Sequence, residues 1–352
     1  MPTANEVILN ESVQHAIDLQ GYSNNVVRRM LAILAKADVD LIQQLEISLN
    51  SLPLSQFNFE RLELALLSVR DLNARAYASI SSEVDGELQS LTAYEADYQK
   101  QLYASVLPSQ VVISAVSVDQ VYAAAMARPF SGRLLKEWMF GIEVAKASAI
   151  RDAVRMGYLE NQTIGEIVKR VRGTKALNFR DGILEISRRN AEGVIITAIG
   201  HTSNFANNAF LGANSDVVKG YRYTATLDLR TTVLCAGRDG KFYALGGAKP
   251  AIPAHFRCRS RYVGVTKSFR ELGIDLDELP PGTRQSLDGQ VPSSLNYNDW
   301  LKKQSQERQD EVLGKSKAEI FRRGEVTLDK FVSKQGHTYT IEELRAKYHL
   351  NG

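Results

Sequence analysis

Cysteine is scarce in this chain. Of 352 residues only two are cysteine, Cys235 and Cys258, too few for a disulfide framework. No run of about 18 apolar residues occurs, so no membrane-spanning helix is expected. The first residues, Met1-Pro-Thr-Ala-Asn-Glu6, lack the basic start and apolar stretch of a signal peptide, and a protein working on the cytoplasmic side is expected. Neither Gly-x-Gly-x-x-Gly nor His-Glu-x-x-His is present. Gly314-Lys315-Ser316 resembles the end of a phosphate-cradling loop, but Gln309 stands where its first glycine belongs. No catalytic constellation emerges, so the expectation is a protein that is not an enzyme.

What is present is enough apolar material for a sizeable core, 44% of residues. Net charge is only +3, yet residues 1–100 carry 14 acids and 7 bases, and residues 251–270 carry five bases and no acid. An acidic front and a basic back half suggest different partners at the two ends.

The first 215 residues read as helix. Asn24 or Asn25 can cap a helix with the stripe Val27, Met30, Leu31, Leu34, Leu41, Ile42 and Leu45. Ser51-Leu-Pro-Leu-Ser55 breaks it. A second stripe runs from about 55 to 107 through Leu62, Leu66, Val69, Ala76, Ile80, Val84, Leu88, Leu91, Tyr94, Tyr98 and Leu102. At about 75 Å it exceeds an ordinary domain, so it projects or folds back near Gly86. The acids Glu83, Asp85 and Glu87 read as a solvated face of it. Shorter helices are expected at 118–128, 131–157, 163–172 and 182–208, with Thr163 and Glu166 as a capping box. At Gly220 the pattern turns to strand: Tyr221-Arg-Tyr-Thr-Ala-Thr226, then Lys241-Phe-Tyr-Ala-Leu245 after an Asp239-Gly240 turn, then Arg261-Tyr-Val-Gly-Val265. This is read as the strand-rich part of the chain. Pro280-Pro-Gly-Thr283 and Pro292-Ser-Ser294 read as loops, and helices return at 297–310, 311–323, 326–335 and 340–348. The fold class expected is mainly α with a small β module. Its regions are long helices at 1–110, a helical lead-in at 111–219, the module at 220–266 and a helical extension at 267–352.

Both cysteines lie in the module, with His255 three residues before Cys258. Two thiolates and one imidazole are three zinc ligands, and Asp228 is a candidate fourth. The segment lacks a Cys-x-x-Cys knuckle. No cofactor is expected, but three states stay open: zinc, a disulfide, or buried thiols beside a hydrogen-bonded histidine. Arg257, Arg259 and Arg261 alternate with other residues, so an extended strand would set all three on one face, where they could bind DNA phosphates. Alternatively, one of them pairs with Asp228 or Asp239.

The order of these residues resembles the phage Mu gene F-like minor head protein family, also called the phage head morphogenesis family. The matching positions are Asp228, Arg230, Thr231 and Cys235, the turn Asp239-Gly240-Lys241-Phe242, then Pro253, His255, Cys258 and Arg259, preceded by the Asn-rich helix at 189–208. Members often end in Cys-Arg-Cys, where this chain has Cys258-Arg259-Ser260. The resemblance covers about residues 150–265. It implies a structural protein of the virion, assembled in the host cytoplasm, that associates with the portal protein and other head proteins and accompanies double-stranded DNA. Asp228, Arg230, Thr231, Cys235, Gly240, His255 and Cys258 would stabilise the module, and Arg257, Arg259 and Arg261 would meet DNA. A metal-dependent hydrolase or nuclease centred on His255, and a non-specific DNA-binding protein, are the alternatives.

Overall fold

A computed structural model describes residues 3–52, 58–276 and 282–350. The element order is α1 (Ala4–Asn50), α2 (Phe59–Ala65), α3 (Leu67–Val106), α4 (Val118–Met126), α5 (Leu135–Leu159), α6 (Ile164–Arg172), α7 (Ile183–Ala213), β1 (Val218–Thr224), α8 (Val233–Ala236), β2 (Phe242–Ala244), β3 (Arg261–Thr266), β4 (Thr283–Ser286), β5 (Gly289–Pro292), α9 (Tyr297–Lys302), α10 (Gln306–Leu313), α11 (Lys315–Arg322) and α12 (Ile341–Tyr348). The fold is mainly α with a small β component, as the periodicities indicate: 62% of residues are helical and 9% are in strands. No helix among the described residues is long and apolar enough to cross a membrane.

The chain forms two compact units. The first holds residues 1–20, 92–125 and 200–352, and the second residues 21–91 and 126–199. They interleave along the chain, whereas the four regions expected from sequence are consecutive.

Among its described residues the second unit is built of helices and their connections, with no strand. Leu41, Leu45 and Leu49 of α1, Leu62, Leu66 and Val69, Ile150 and Val154 of α5, and Ile167, Val168 and Val171 of α6 form one buried cluster. Thr163 and Glu166 cap α6 reciprocally, as expected. Asp38 and Lys146 are buried charges, joined by the half-buried Arg188: Lys146 Nζ lies 2.6 Å and Arg188 Nε 3.0 Å from the Asp38 carboxylate.

Several local expectations are corrected. α1 begins at Ala4 rather than near Asn24, because Thr3 and Glu6 make a capping box: the Glu6 amide donates to the Thr3 hydroxyl at 3.3 Å, and the Thr3 amide to the Glu6 carboxylate at 3.0 Å. Gly86 does not fold α3 back. The helix runs through it for 40 residues, since buried Val84 and Leu88 on either side outweigh the roughly 1 kcal/mol cost of one glycine. Tyr94 is exposed, unlike the rest of the stripe's aliphatic positions. Glu87 is not simply solvated; it accepts from Tyr22 and pairs with Arg29 at 2.8 Å. The break at 51–55 falls partly, and the Pro280 turn by half (Pro280 and Pro281), outside the described residues. Between the two stretches read as loops, and including Thr283 and Pro292 at their edges, lies a two-stranded antiparallel hairpin, with Ser286 opposite Gly289, so strands also occur beyond 220–266.

The first unit carries the module. Its sheet has the order β2-β1-β3, antiparallel throughout, with Tyr223 opposite Tyr262 and Tyr221 opposite Tyr243. Tyr262 meets Tyr221, Tyr223 and Tyr243 edge-on. The Asn-rich helix α7 grips β3 through its amides: Asn207 Nδ2 donates to the Tyr262 carbonyl at 2.6 Å, and Asn204 Nδ2 to the Ser260 carbonyl at 3.3 Å. Ala4, Ile8, Leu9 and Val13 of α1 and Leu102 and Tyr103 of α3 complete this core. A second core forms among the C-terminal helices around Trp300, Phe321 and Phe331.

Candidate functional site

β1 ends at Thr224, and the chain turns so that the Asp228 amide donates to the Thr226 carbonyl at 3.0 Å. The Asp228 carboxylate then organises the turn. Oδ1 accepts from the Arg230 amide at 3.0 Å and from the Thr231 hydroxyl at 3.1 Å. Arg259 approaches both oxygens, with Nη2 2.8 Å from Oδ1 and Nη1 on Oδ2. Burial alone would raise this carboxyl's pKa, but the Arg259 hydrogen bonds and charge outweigh it and hold the group below its ordinary value. Arg230 joins through its backbone N–H, its side chain being exposed.

Thr232 caps the short helix α8, its hydroxyl accepting from the Cys235 amide at 3.4 Å. That turn aims the Cys235 thiol inward. Its sulfur lies 3.2 Å from the Tyr223 hydroxyl, 3.3 Å from His255 Nε2 and 3.8 Å from Cys258 Sγ. His255 and Cys258 come from one turn, closed by the Cys258 amide on the His255 carbonyl at 3.2 Å and made possible by Arg257 at φ +58°. His255 Nδ1 faces the Phe256 carbonyl at 2.8 Å. A carbonyl only accepts, so Nδ1 carries a proton, and Nε2 faces Cys235 and, at 3.0 Å, the Thr232 hydroxyl. The ligand atoms of Cys235, His255 and Cys258 all lie within 4.8 Å of one another. Asp228, the candidate fourth ligand, is committed to Arg259 and does not join them.

The hydrogen bond with Cys258, with those from His255, Ser260 and Tyr223, pulls Cys235 well below the usual thiol range. The same contact, with burial, pushes Cys258 up. The pair gives up one proton readily and the second reluctantly. His255 is raised, chiefly by its bond to Cys235.

Gly240 takes φ +82°, a conformation that glycine adopts without strain, and its amide donates to the Tyr223 carbonyl at 2.8 Å. The residue before it, Asp239, was legible only as a turn former. It proves to be a hub. Its carboxylate accepts from the Ala225 amide at 2.7 Å, the Tyr297 amide at 2.8 Å and Arg284 Nη1 at 3.1 Å. Arg284 lies on β4, outside the motif, and nothing in the sequence pairs it with Asp239.

The three arginines do not share a strand face. β3 begins only at Arg261, because the left-handed turn at Arg257 interrupts the extended chain on which period-two spacing depends. Arg257 is exposed, and Arg259 is spent on Asp228. Arg261 is 3% exposed, with Nη1 3.3 Å from the Ser12 carbonyl and Nη2 3.9 Å from Glu95. Glu95 is a further buried centre that the sequence does not reveal. His15 Nε2 lies 2.8 Å and the Ser203 hydroxyl 2.7 Å from its Oε1. Burial raises its pKa, but the His15 hydrogen bond, the Arg261 charge and Ser203 together lower it below the ordinary carboxylate value.

A cavity of about 600 Å³ lies in the same unit, lined by Arg222, Asp239, Lys241, Arg284, Asn296 and Lys302 among others. Neither cysteine nor His255 lines it, so the thiol–imidazole group does not open into that cavity. Comparison of the chain with protein-family models, curated proteins and solved structures finds no match.

Proposed function

We propose that the chain is a minor head protein of a tailed phage, acting in capsid assembly at the portal vertex and accompanying the packaged double-stranded DNA. One observation carries this reading. Apart from the turn Asp239-Gly240-Lys241, which borders the 600 Å³ cavity, the residues that give the chain its resemblance to head-morphogenesis proteins are bound to one another rather than arranged around a substrate space. Asp228 holds Arg259, Thr231 and the Arg230 amide, while Cys235 meets His255, Cys258 and Tyr223. A motif that closes on itself is an architectural device, which suits an assembly protein better than a hydrolase. The acidic first hundred residues are consistent with docking to another protein, and Arg257 and Arg270, the exposed bases of the stretch 251–270, with proximity to DNA.

The test is mass spectrometry of purified, DNA-filled particles of the phage encoding the chain, with an affinity pull-down of the tagged chain from infected cells. The expected result is the chain present in particles at low copy number and the portal protein recovered with it. Absence from the particles overturns the proposal. Nuclease activity lost in His255→Ala would favour the metal-dependent enzyme instead.

A further inference from the structure

We infer that Cys235, His255 and Cys258 form a zinc site in which Cys235 Sγ, Cys258 Sγ and His255 Nε2 bind one ion and solvent takes the fourth position. This inference does not depend on the head-assembly role.

Two of the three donor separations match a tetrahedral ion, and the third, Cys258 Sγ to His255 Nε2, lies within 4.8 Å, close enough to close onto one ion with a small side-chain shift. Zinc–sulfur bonds of about 2.3 Å at tetrahedral angles set two thiolates about 3.8 Å apart, and a zinc–nitrogen bond of about 2.0 Å sets sulfur and nitrogen about 3.5 Å apart. Here the two sulfurs are 3.8 Å apart, and Cys235 Sγ is 3.3 Å from His255 Nε2. A disulfide would need the sulfurs to close to about 2.05 Å. The donors also come from rigid places: Cys235 from a capped helical turn, and Cys258 from a turn over which Gly200 of α7 packs, where an added Cβ would sit 3.4 Å from the Cys258 carbonyl.

The surroundings match what a bound ion requires of its ligands. A metal-bound imidazole donates its other N–H to a fixed acceptor, which sets the tautomer. His255 Nδ1 faces the Phe256 carbonyl at 2.8 Å, leaving Nε2 for the ion. The Tyr223 hydroxyl, 3.2 Å from Cys235 Sγ, is placed to donate to the bound thiolate. Thr232 Oγ1 already accepts from the Cys235 amide, so the fourth ligand is assigned to water on the half-exposed side of His255. Both thiols must lose their protons to the solvent when the ion enters, with no change of oxidation state. An open fourth position is also the mark of catalytic zinc, but the 600 Å³ cavity excludes all three ligands. Held by ligands from both, the ion would tie the turn at 255–258 to the helical turn at 232–236.

The experiment uses the full-length chain, stripped of metal under reducing conditions and titrated with Co²⁺ as a spectroscopic stand-in for zinc. The expected result is saturation at one ion per chain. A thiolate-to-cobalt charge-transfer band and four-coordinate visible bands should appear, and both should be bleached by an equivalent of Zn²⁺. Cys258→Ser should lose about half the charge-transfer intensity, because one of two thiolates is gone. His255→Gln should weaken binding by at least the roughly 10–100-fold that outer-shell changes cost. The wild-type titration needs no variant to fold, and circular dichroism shows whether each variant has folded. The inference is overturned if the folded wild-type chain binds no Co²⁺ and elemental analysis finds no zinc after loading. A metal-free mass lighter by two hydrogen atoms, with both thiols unreactive, would also overturn it, since it identifies a disulfide.

Discussion

The two units bury charge in different ways. In the second unit, Asp38 meets Lys146 and Arg188 between regular helices whose backbones satisfy themselves. The carboxylate there serves only other side chains. In the first unit the described residues between 225 and 300 are mostly turns and short strands. Its carboxylates must also satisfy backbone groups: Asp239 accepts from two amides as well as Arg284. Irregular chain transfers the work of a hydrogen-bond ladder to a few side chains, and those side chains then become irreplaceable.

The sharpest way to break this contrast is to compare two deletions. Asp239→Ala leaves the Arg284 guanidinium buried without its partner and two amides without an acceptor. It should cost about 3–5 kcal/mol, or prevent folding, in urea denaturation. Asp38→Ala should cost nearly as much alone. The two sites should part company when charge is removed from both partners. Asp38→Leu with Lys146→Met should recover most of the loss, because apolar residues replace a buried pair at little cost. Asp239→Leu with Arg284→Met should not, because the Ala225 and Tyr297 amides remain orphaned. Equal recovery at both sites would erase the distinction.

A smaller effect is expected at the half-buried clamp. Arg259→Ala should cost about 1–3 kcal/mol, since Asp228 keeps Thr231 and the Arg230 amide. Acid should act on the first unit through Asp228 and Glu95, whose folded pKa values are depressed. Their contribution is complete above the ordinary values of 3.8 and 4.5. It is lost as pH falls through the lower folded values. Denaturation midpoints measured from pH 6 downward should therefore fall below about pH 4.5, and Asp228→Asn should flatten the Asp228 share of that fall. The smallest change expected is a gain. Gly86 is an exposed position inside α3 with nothing within 4 Å of an added Cβ. Gly86→Ala should stabilise the chain by about 0.5–1 kcal/mol.

How much could be read from sequence follows from the same contrast. The helices were legible because burial repeats along them: Val27, Met30, Leu34 and Leu41 are buried as their spacing requires. Turn chemistry placed β1, β2 and the Asp239-Gly240 turn. The capping box at Thr3 was as readable as that at Thr163, but the apolar stripe beginning at Val27 drew the helix start inward. The β4–β5 hairpin carried its own signal in Asp288-Gly289, with Gly289 at φ +95°. Within the site, the proximity of the cysteines and His255 was foreshadowed by their spacing. Arg259–Asp228 was one of the pairs that charge alone allowed. Arg284 with Asp239, and Glu95 with His15 and Ser203, were invisible, because those partners lie 45 to 108 positions apart and no local period joins them. The three-arginine face failed for a local reason, the left-handed residue at Arg257.

Hydrogen exchange on the intact chain tests most directly whether the motif holds the module together. Residues 225–240 and 255–262 are largely irregular, so an unsupported loop there would exchange within seconds. The account expects the amides of Ala225, Cys235 and Cys258 to exchange as slowly as those of β1, in one cooperative opening with it. Exchange of these three at free-loop rates, while β1 stays protected, would contradict it.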